Sequence, residues 1–467
     1  MKYIIDDLIK KLNDFINETK NQNFVLNDWI HLVKKHPAVI ARYDSSHFLL
    51  RNIIISFIKN ICKIFIELFK QSNNKYFKNK DYDFLIISHK LKNVQEVDNE
   101  DFYYGGIGQY LELNNFKYKF LYLNHSEFSK NDNSFFLNEC NFLTKLKIIY
   151  KIVKTSICFI LFNYKKFEHK ILLKVFVEFF SIFTFHNFII IDNLKKISLF
   201  NKTKYIITTF EGYSWERAVF LSQKYQETKT IGYQHSYISK ENNSIFEINN
   251  KDLIPNILFT AGEITKDLFK NKKFFFDKIE VFGNNKIFRI SKNNKDKVKS
   301  HILVAPDGVE NECTKMMKFI LDFSIKNDKY NFIFRLHPVI DFEKLKKKEK
   351  IFRQNFRNII FSKEKLEFDL ERSTHCLYRG STIAFNCVLS NVVPIFVSLD
   401  DNTSINVFDG VKSVKIISNI NDLEKSLKSK KIDHDALIFT EKYFHNVNFE
   451  ILKSERQRQI ERERERE

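Results

Sequence analysis

No two of the six cysteines (Cys62, Cys140, Cys158, Cys313, Cys376, Cys387) are spaced as CxxC, and none stands at ligand spacing from a histidine, so a zinc module is not expected. They sit among apolar neighbours as small core residues do, which fits a reducing cytoplasm. The chain also lacks a P-loop and a supported acid pair of the DxD type, so neither a metal nor a cofactor is expected. The start, MKYIIDDLIKKLNDF, alternates charge and apolar residues at helical spacing and has no signal-peptide pattern, so no export is read. Three segments, 49–70, 143–162 and 171–191, are strongly apolar, yet none offers about 18 residues clear of Lys or Glu, so spanning helices are not expected.

Glycine (10) and proline (5) are scarce; phenylalanine (50) is abundant. With 467 residues, 44% hydrophobic and 15% aromatic, the chain can fill the cores of two or three domains. The formal net charge of +19 is partly compositional, since Lys, Asn, Ile and Phe are all plentiful. What remains favours an anionic partner: membrane phospholipid, nucleic acid or a phosphorylated substrate. In 49–70, Arg51, Lys59, Lys63 and Lys70 stand beside Ile and Phe. That pattern suits either a core helix with a solvated basic stripe or a helix lying on anionic lipid, a peripheral membrane contact. Runs such as KNKKFFFDK interleave Lys with aromatics, but no compact RNA-binding motif is present, and nucleic acid is not expected as a partner.

The texture changes near residue 80. Residues 1–80 read as a helical extension, and from there short apolar runs alternate with helical stretches: 81–90, 118–126, 188–192, 204–210, 229–236, 256–262 and 278–284. A second series follows the charged linker 290–300, at 301–308, 330–338, 359–364, 375–380, 392–399 and 414–418. Such alternation predicts an α/β protein with two Rossmann-like domains facing a cleft, over 81–289 and 290–447, and a charged tail over 448–467.

In doubly wound sheets ligands sit beyond the carboxyl ends of the strands. In the second series those ends are Asp307-Gly308, Arg335-Leu336-His337-Pro338 and Arg379-Gly380-Ser381-Thr382. Gly-Ser-Thr opening a helix offers backbone N–H groups and hydroxyls to a phosphate, with His337 on a strand end beside it. Read singly, His-Pro is an ordinary strand end and Gly-Ser-Thr an ordinary N-cap. In the first series Glu211-Gly212 ends one run and Gln234-His235 another, and Gly105 and Gly106 make a turn placed where an acceptor loop would be.

FRLHP, followed some 40 residues later by RGSTIAFNCVLSNVVPIFV, resembles the HP and Ser-Ser/Thr motifs of bacterial sialyltransferases and Kdo transferases. FEGYSWERA matches the last two positions of that group's Asp/Glu-Asp/Glu-Gly motif, with Phe210 in place of the first acid. The stretch 200–400 is also similar to surface carbohydrate biosynthesis proteins. The resemblance implies the GT-B fold and metal-independent, inverting transfer of a 2-keto sugar acid from a CMP-activated donor to a glycan or glycolipid acceptor of the cell surface. It implies Glu211 as general base, its pKa raised by burial, and His337, Ser381 and Thr382 as phosphate ligands, with Arg335 or Arg379 as charge partners. Asp307 and Gly308 would shape the nucleotide pocket, and Gly105, Gly106, Gln234 and His235 would face acceptor or sugar. A UDP- or GDP-sugar or CDP-glycerol donor on the same fold is the second reading; a non-catalytic membrane- or nucleic-acid-binding module is the third.

Overall fold

The computed structural model describes residues 49–72, 74, 80–90, 100–124, 134–223, 226–238, 243–246, 251–271, 275–285, 300–399, 405–429 and 431–457. The helices expected in 1–48, most of the 290–300 linker and residues 458–467 lie outside the described residues. The first half runs α1 (Leu50–Phe69), β1 (Tyr82–Lys90), α2 (Ile107–Leu113), β2 (Tyr118–Asn124), α3 (Phe142–Asn163), α4 (His169–Phe179), α5 (Ile182–Phe200), β3 (Thr203–Thr209), α6 (Ser214–Ser222), β4 (Lys229–Gln234), α7 (Asn243–Phe246), β5 (Ile257–Thr260), α8 (Glu263–Lys270) and β6 (Lys278–Val281). The second runs β7 (His301–Ala305), α9 (Glu310–Lys326), β8 (Asn331–Phe334), α10 (Phe342–Lys348), β9 (Ile359–Phe361), α11 (Leu366–Arg372), β10 (Ser373–Tyr378), α12 (Ile383–Leu389), β11 (Val393–Val397), β12 (Lys415–Ile417), α13 (Ile420–Ser426) and α14 (His434–Tyr443).

The central strands are short apolar runs because both of their faces are covered. In β1, Leu85 and Ile87 enter one core with Ile64, Ile148, Phe185 and Ala218, whereas Phe84 and Ile86 enter another with Tyr104, Ile107 and Leu452. The second sheet divides likewise: Leu303 and Ala305 of β7 on one side, Ile302 and Val304 on the other. Among the described residues all the strand pairings are parallel. The orders are β2-β1-β3-β4-β5-β6 and β12-β11-β10-β7-β8-β9. These are the two expected Rossmann-like domains, and in each the order of winding reverses once, between β1 and β3 and between β7 and β10.

One expected strand is a helix. Residues 188–192, FIIID, lie inside α5, where Ser181 caps the start by accepting from the Thr184 N–H and Thr184 to Ile197 is buried almost all round. Four apolar residues in a row have no period to reveal, and the buried helix around them supplies the geometry. Two cysteines also depart from the core reading: Cys62 on α1 and Cys158 on α3 are exposed, while the other four are buried.

The chain crosses back at its end. After α14, the His445 N–H donates to Ala261 O (2.8 Å), the Asn284 N–H to His445 O (2.8 Å) and the Asn448 N–H to Phe282 O (2.8 Å). Gly262 and Gly283 make this approach possible. A Cβ on either would collide with the carbonyl oxygen of Tyr443 or Asn446, and Gly283 also has φ +95°. Residues 450–457 are helical and seat on the first domain, with Leu452 in its core, the Tyr205 hydroxyl donating to Glu455 O (3.0 Å) and Arg456 Nε 2.8 Å from Asp83 Oδ1.

Candidate active site

The second domain's reversal point sets the end of β7 between the ends of β10 and β8. His337 and the Gly380 turn are therefore not on neighbouring strands, as the sequence order suggested; Asp307-Gly308 stands between them. Gly380 has φ +65°, and a Cβ there would meet Asp307 Oδ2 at 2.8 Å, so glycine lets the β10 turn close on that carboxylate. On the other side a Cβ on Gly308 would meet His337 Nδ1 at 3.1 Å. The Val339 N–H donates to His337 Nδ1 (3.3 Å), fixing the ring over Gly308, and Asp307 Oδ1 accepts from the Gly308 N–H (2.6 Å). The result is a notch floored by two glycines and walled by an imidazole and a carboxylate. Pro338 is exposed beside it.

The arginines of this region look inward. Arg379 is fully buried, with Nε 2.6 Å from Glu312 Oε2 and Nη1 donating to Val397 O (2.7 Å). Arg335 Nη1 reaches Asp369 Oδ2 (2.7 Å) and Glu364 O (2.7 Å). Neither placement matches the expected charge partner of a phosphate, because each guanidinium neutralises an acid of its own domain. Ser381 is buried with Oγ turned to the Ile383 N–H (3.4 Å); Thr382 is exposed and makes no side-chain cap. The expected pair of helix-opening hydroxyls is thus divided, one facing its own helix and one facing solvent.

The first domain's reversal point is built around Glu211. His235 Nδ1 lies 3.0 Å from Glu211 Oε1, the Ser236 N–H donates to the same oxygen (3.0 Å), and the Ser236 hydroxyl to Oε2. Burial works to raise the Glu211 pKa, but His235 and the Ser236 donors outweigh it and hold the carboxyl below its ordinary value. The expected upward shift is thereby reversed. The acid that is raised is Glu216, which burial pushes up to about 8 with the nearby Glu211 charge adding to the rise. Glu216 is wholly buried and accepts from the backbone N–H groups of Glu211 (2.9 Å), Gly212 (2.8 Å) and Tyr213 (2.8 Å) and from the Thr209 hydroxyl (2.7 Å). Capping the turn into α6 is therefore the work of Glu216, which leaves Glu211 turned toward β4.

Rings close over this pair. Tyr103, in the loop that carries Gly105 and Gly106, has its ring 4.9 Å from that of His235 and 5.0 Å from that of His89 at the end of β1; His89 in turn meets Trp215 at 4.9 Å. Gly105 has φ +56°, and a Cβ on it would meet Asn285 Nδ2 at 2.9 Å, which docks the loop on the end of the sheet. Gln234 is buried, donating to Ser236 O, while the Asn284 amide donates to His235 O. The 101–106 loop, His235 and Glu211 thus form one cluster.

The two clusters are bridged. Tyr237, two residues past His235, packs its ring on Phe385 of α12 and Tyr443 of α14 (6.2 and 5.2 Å), and its hydroxyl reaches Asn406 O (3.5 Å). Next to Asn406, Ile405 accepts the Gly380 N–H (3.0 Å).

No protein-family model matches the chain, and no curated protein matches its sequence. Solved structures do. The UDP-GlcNAc 2-epimerase of Methanocaldococcus jannaschii aligns over 75% of this chain and 93% of its own at 14% identity and a TM-score of 0.45. The S. aureus MnaA–UDP structure covers 79% and 93% at 10% identity and 0.46, and the wall teichoic acid polymerase TagF covers 88% and 100% at 9% identity and 0.43.

Among the contributors that escaped the sequence reading are His89, Tyr103, Trp215, Ser236 and Tyr237. His89 ends β1 in FLIISHK, so the strand-end rule that singled out Glu211 and His235 reaches it as well. Tyr103 and Ser236 lie in loops, where only the fold reveals what they face. Among the described residues, no group of three or more His, Cys, Asp or Glu side chains is placed to hold a metal ion.

Proposed function

We propose that the chain is an inverting, metal-independent glycosyltransferase with Glu211 as general base. The observation that supports it most is the carboxylate of Glu211, held in its charged form by His235 and Ser236 at one reversal point and linked through Tyr237 to the glycine-floored notch at the other. The acceptor hydroxyl oxygen attacks the anomeric carbon of the donor while its proton passes to Glu211. The carbon–oxygen bond to the donor phosphate breaks, and the electron pair leaves with the nucleotide. His337 faces that phosphate and donates to the oxygen that gains charge. A base kept ionised at neutral pH is ready for the first step, at the cost of being weak. Tyr103, His89 and Trp215 give the acceptor a ring surface against which to pack.

The donor we favour is a CMP-activated 2-keto sugar acid, such as CMP-sialic acid or CMP-Kdo, and the acceptor a surface glycan or glycolipid. The motif resemblance points to it, and so does charge: with Arg335 and Arg379 committed to Asp369 and Glu312, the notch suits one phosphate better than a pyrophosphate. Nucleotide release from CMP-sialic acid, CMP-Kdo, CDP-glycerol and UDP-GlcNAc, followed for wild type with and without a bacterial glycolipid extract, tests this. CMP release from a CMP-sugar that the extract accelerates is expected. Turnover of a diphosphate donor alone would move the donor to the second reading, and no release from any donor would overturn the transferase.

A further inference from the structure

We propose that α1 and α3 together form a docking surface for an anionic lipid bilayer. Both helices are apolar on their outer faces. On α1, Ile54, Ile58, Ile61, Phe65 and Phe69 follow one another at helical spacing and are 40% to 64% exposed, while Ile53 and Ile64 on the opposite side are buried. On α3, Leu146, Tyr150, Val153, Ile157 and Leu161 repeat that spacing at 36% to 70% exposure. The stripes meet where Phe69 packs against Phe142, ring centroids 6.1 Å apart. An exposed apolar patch of this extent marks a surface that is covered in use.

Charge selects the cover. Lys59 and Lys63 are exposed on one flank of the α1 stripe, and Lys147 and Lys154 are exposed along α3. The acid side of the balance is almost empty: α3 contains no Asp or Glu, and the single acid of α1, Glu67, is buried against Lys70 and His186. A second copy of this surface would bring like charges together, whereas anionic headgroups complement the lysines as acyl chains receive the isoleucines and phenylalanines. Among the described residues no single helix is long and apolar enough to cross a membrane, so the two helices lie in the interface. This surface is independent of the donor notch.

The test is flotation of the full chain with phosphatidylcholine vesicles with and without phosphatidylglycerol, comparing wild type, Ile58→Glu with Ile157→Glu, and Lys59→Glu with Lys147→Glu. Wild type is expected to float with the anionic vesicles alone and to be released by high salt. The apolar double variant should lose binding, and the charge variant should bind at least tenfold more weakly, since each lysine contributes roughly fivefold near such a surface. All four side chains are exposed, so unchanged melting and an unchanged nucleotide response would show intact folds. Absence of flotation overturns the proposal. So does a wild-type dimer, seen by sedimentation, that Ile58→Glu dissociates, or hydrogen exchange in the full chain showing α1 covered by residues 1–48.

Discussion

Glu211 stands in the turn before α6 and Glu216 in the first turn of that helix, and their pKa values are shifted in opposite directions. Glu211, held low by His235 and Ser236, adds stability at pH values above its unfolded pKa, which is lost as pH falls through the folded value. Glu216 does the reverse. Its folded pKa of about 8 exceeds the ordinary 4.5, so between those values the native state binds more protons, and stability falls as pH rises. Urea melts of wild type should show that loss with a slope of up to about 1.4 kcal/mol per pH unit, and Glu216→Gln should flatten it whatever its effect on stability at low pH. Glu211→Gln tests chemistry instead. A lost general base should lower kcat by about 10²–10⁴-fold with a small change in KM, and a merely structural carboxylate would move the melting temperature and leave kcat near wild type. The pair Arg379–Glu312 is a third case. Glu312→Gln leaves a guanidinium buried without its counter-charge, and a loss of roughly 3–5 kcal/mol in denaturant melts is expected, against little change if the pair is dispensable.

Short parallel strands make this fold legible, because an apolar run bounded by polar loops needs no partner to be recognised. Each of the twelve strands among the described residues coincides with a run visible in the sequence, and the strand-end rule reached Glu211, His235, Asp307, His337 and Gly380. What was hidden is relational. Nothing in the order of the chain shows that β7 separates β8 from β10, that Glu216 and not Glu211 caps the turn into α6, or that Arg379 points into its own domain. The FIIID run failed for the converse reason, since a helix buried all round has no polar face to show its period. The return crossing depends on glycine in a way that can be measured. Gly410→Ala, at φ +85° with open space around it, should carry only the conformational part, roughly 1–3 kcal/mol, whereas Gly283→Ala combines positive φ with a backbone collision and should cost more. Equal losses at the two sites would remove the close approach of Asn446 as the reason for glycine.

Across the whole chain, Tyr237 after β4 and the 405–408 segment after β11 join two doubly wound sheets beyond their strand ends, and the last helical residues return to the first domain through Leu452 and Arg456. A donor bound at the β7–β10 notch stabilises the folded protein by mass action, so its binding reads out as melting temperature. The decisive measurement is a thermal-shift titration of wild type and His337→Ala with CMP, CDP, UMP and UDP. CMP is expected to raise the wild-type melting temperature and His337→Ala to abolish the rise; no response to any nucleotide at millimolar concentration, or an equal response in both proteins, would rule out a donor phosphate held by His337.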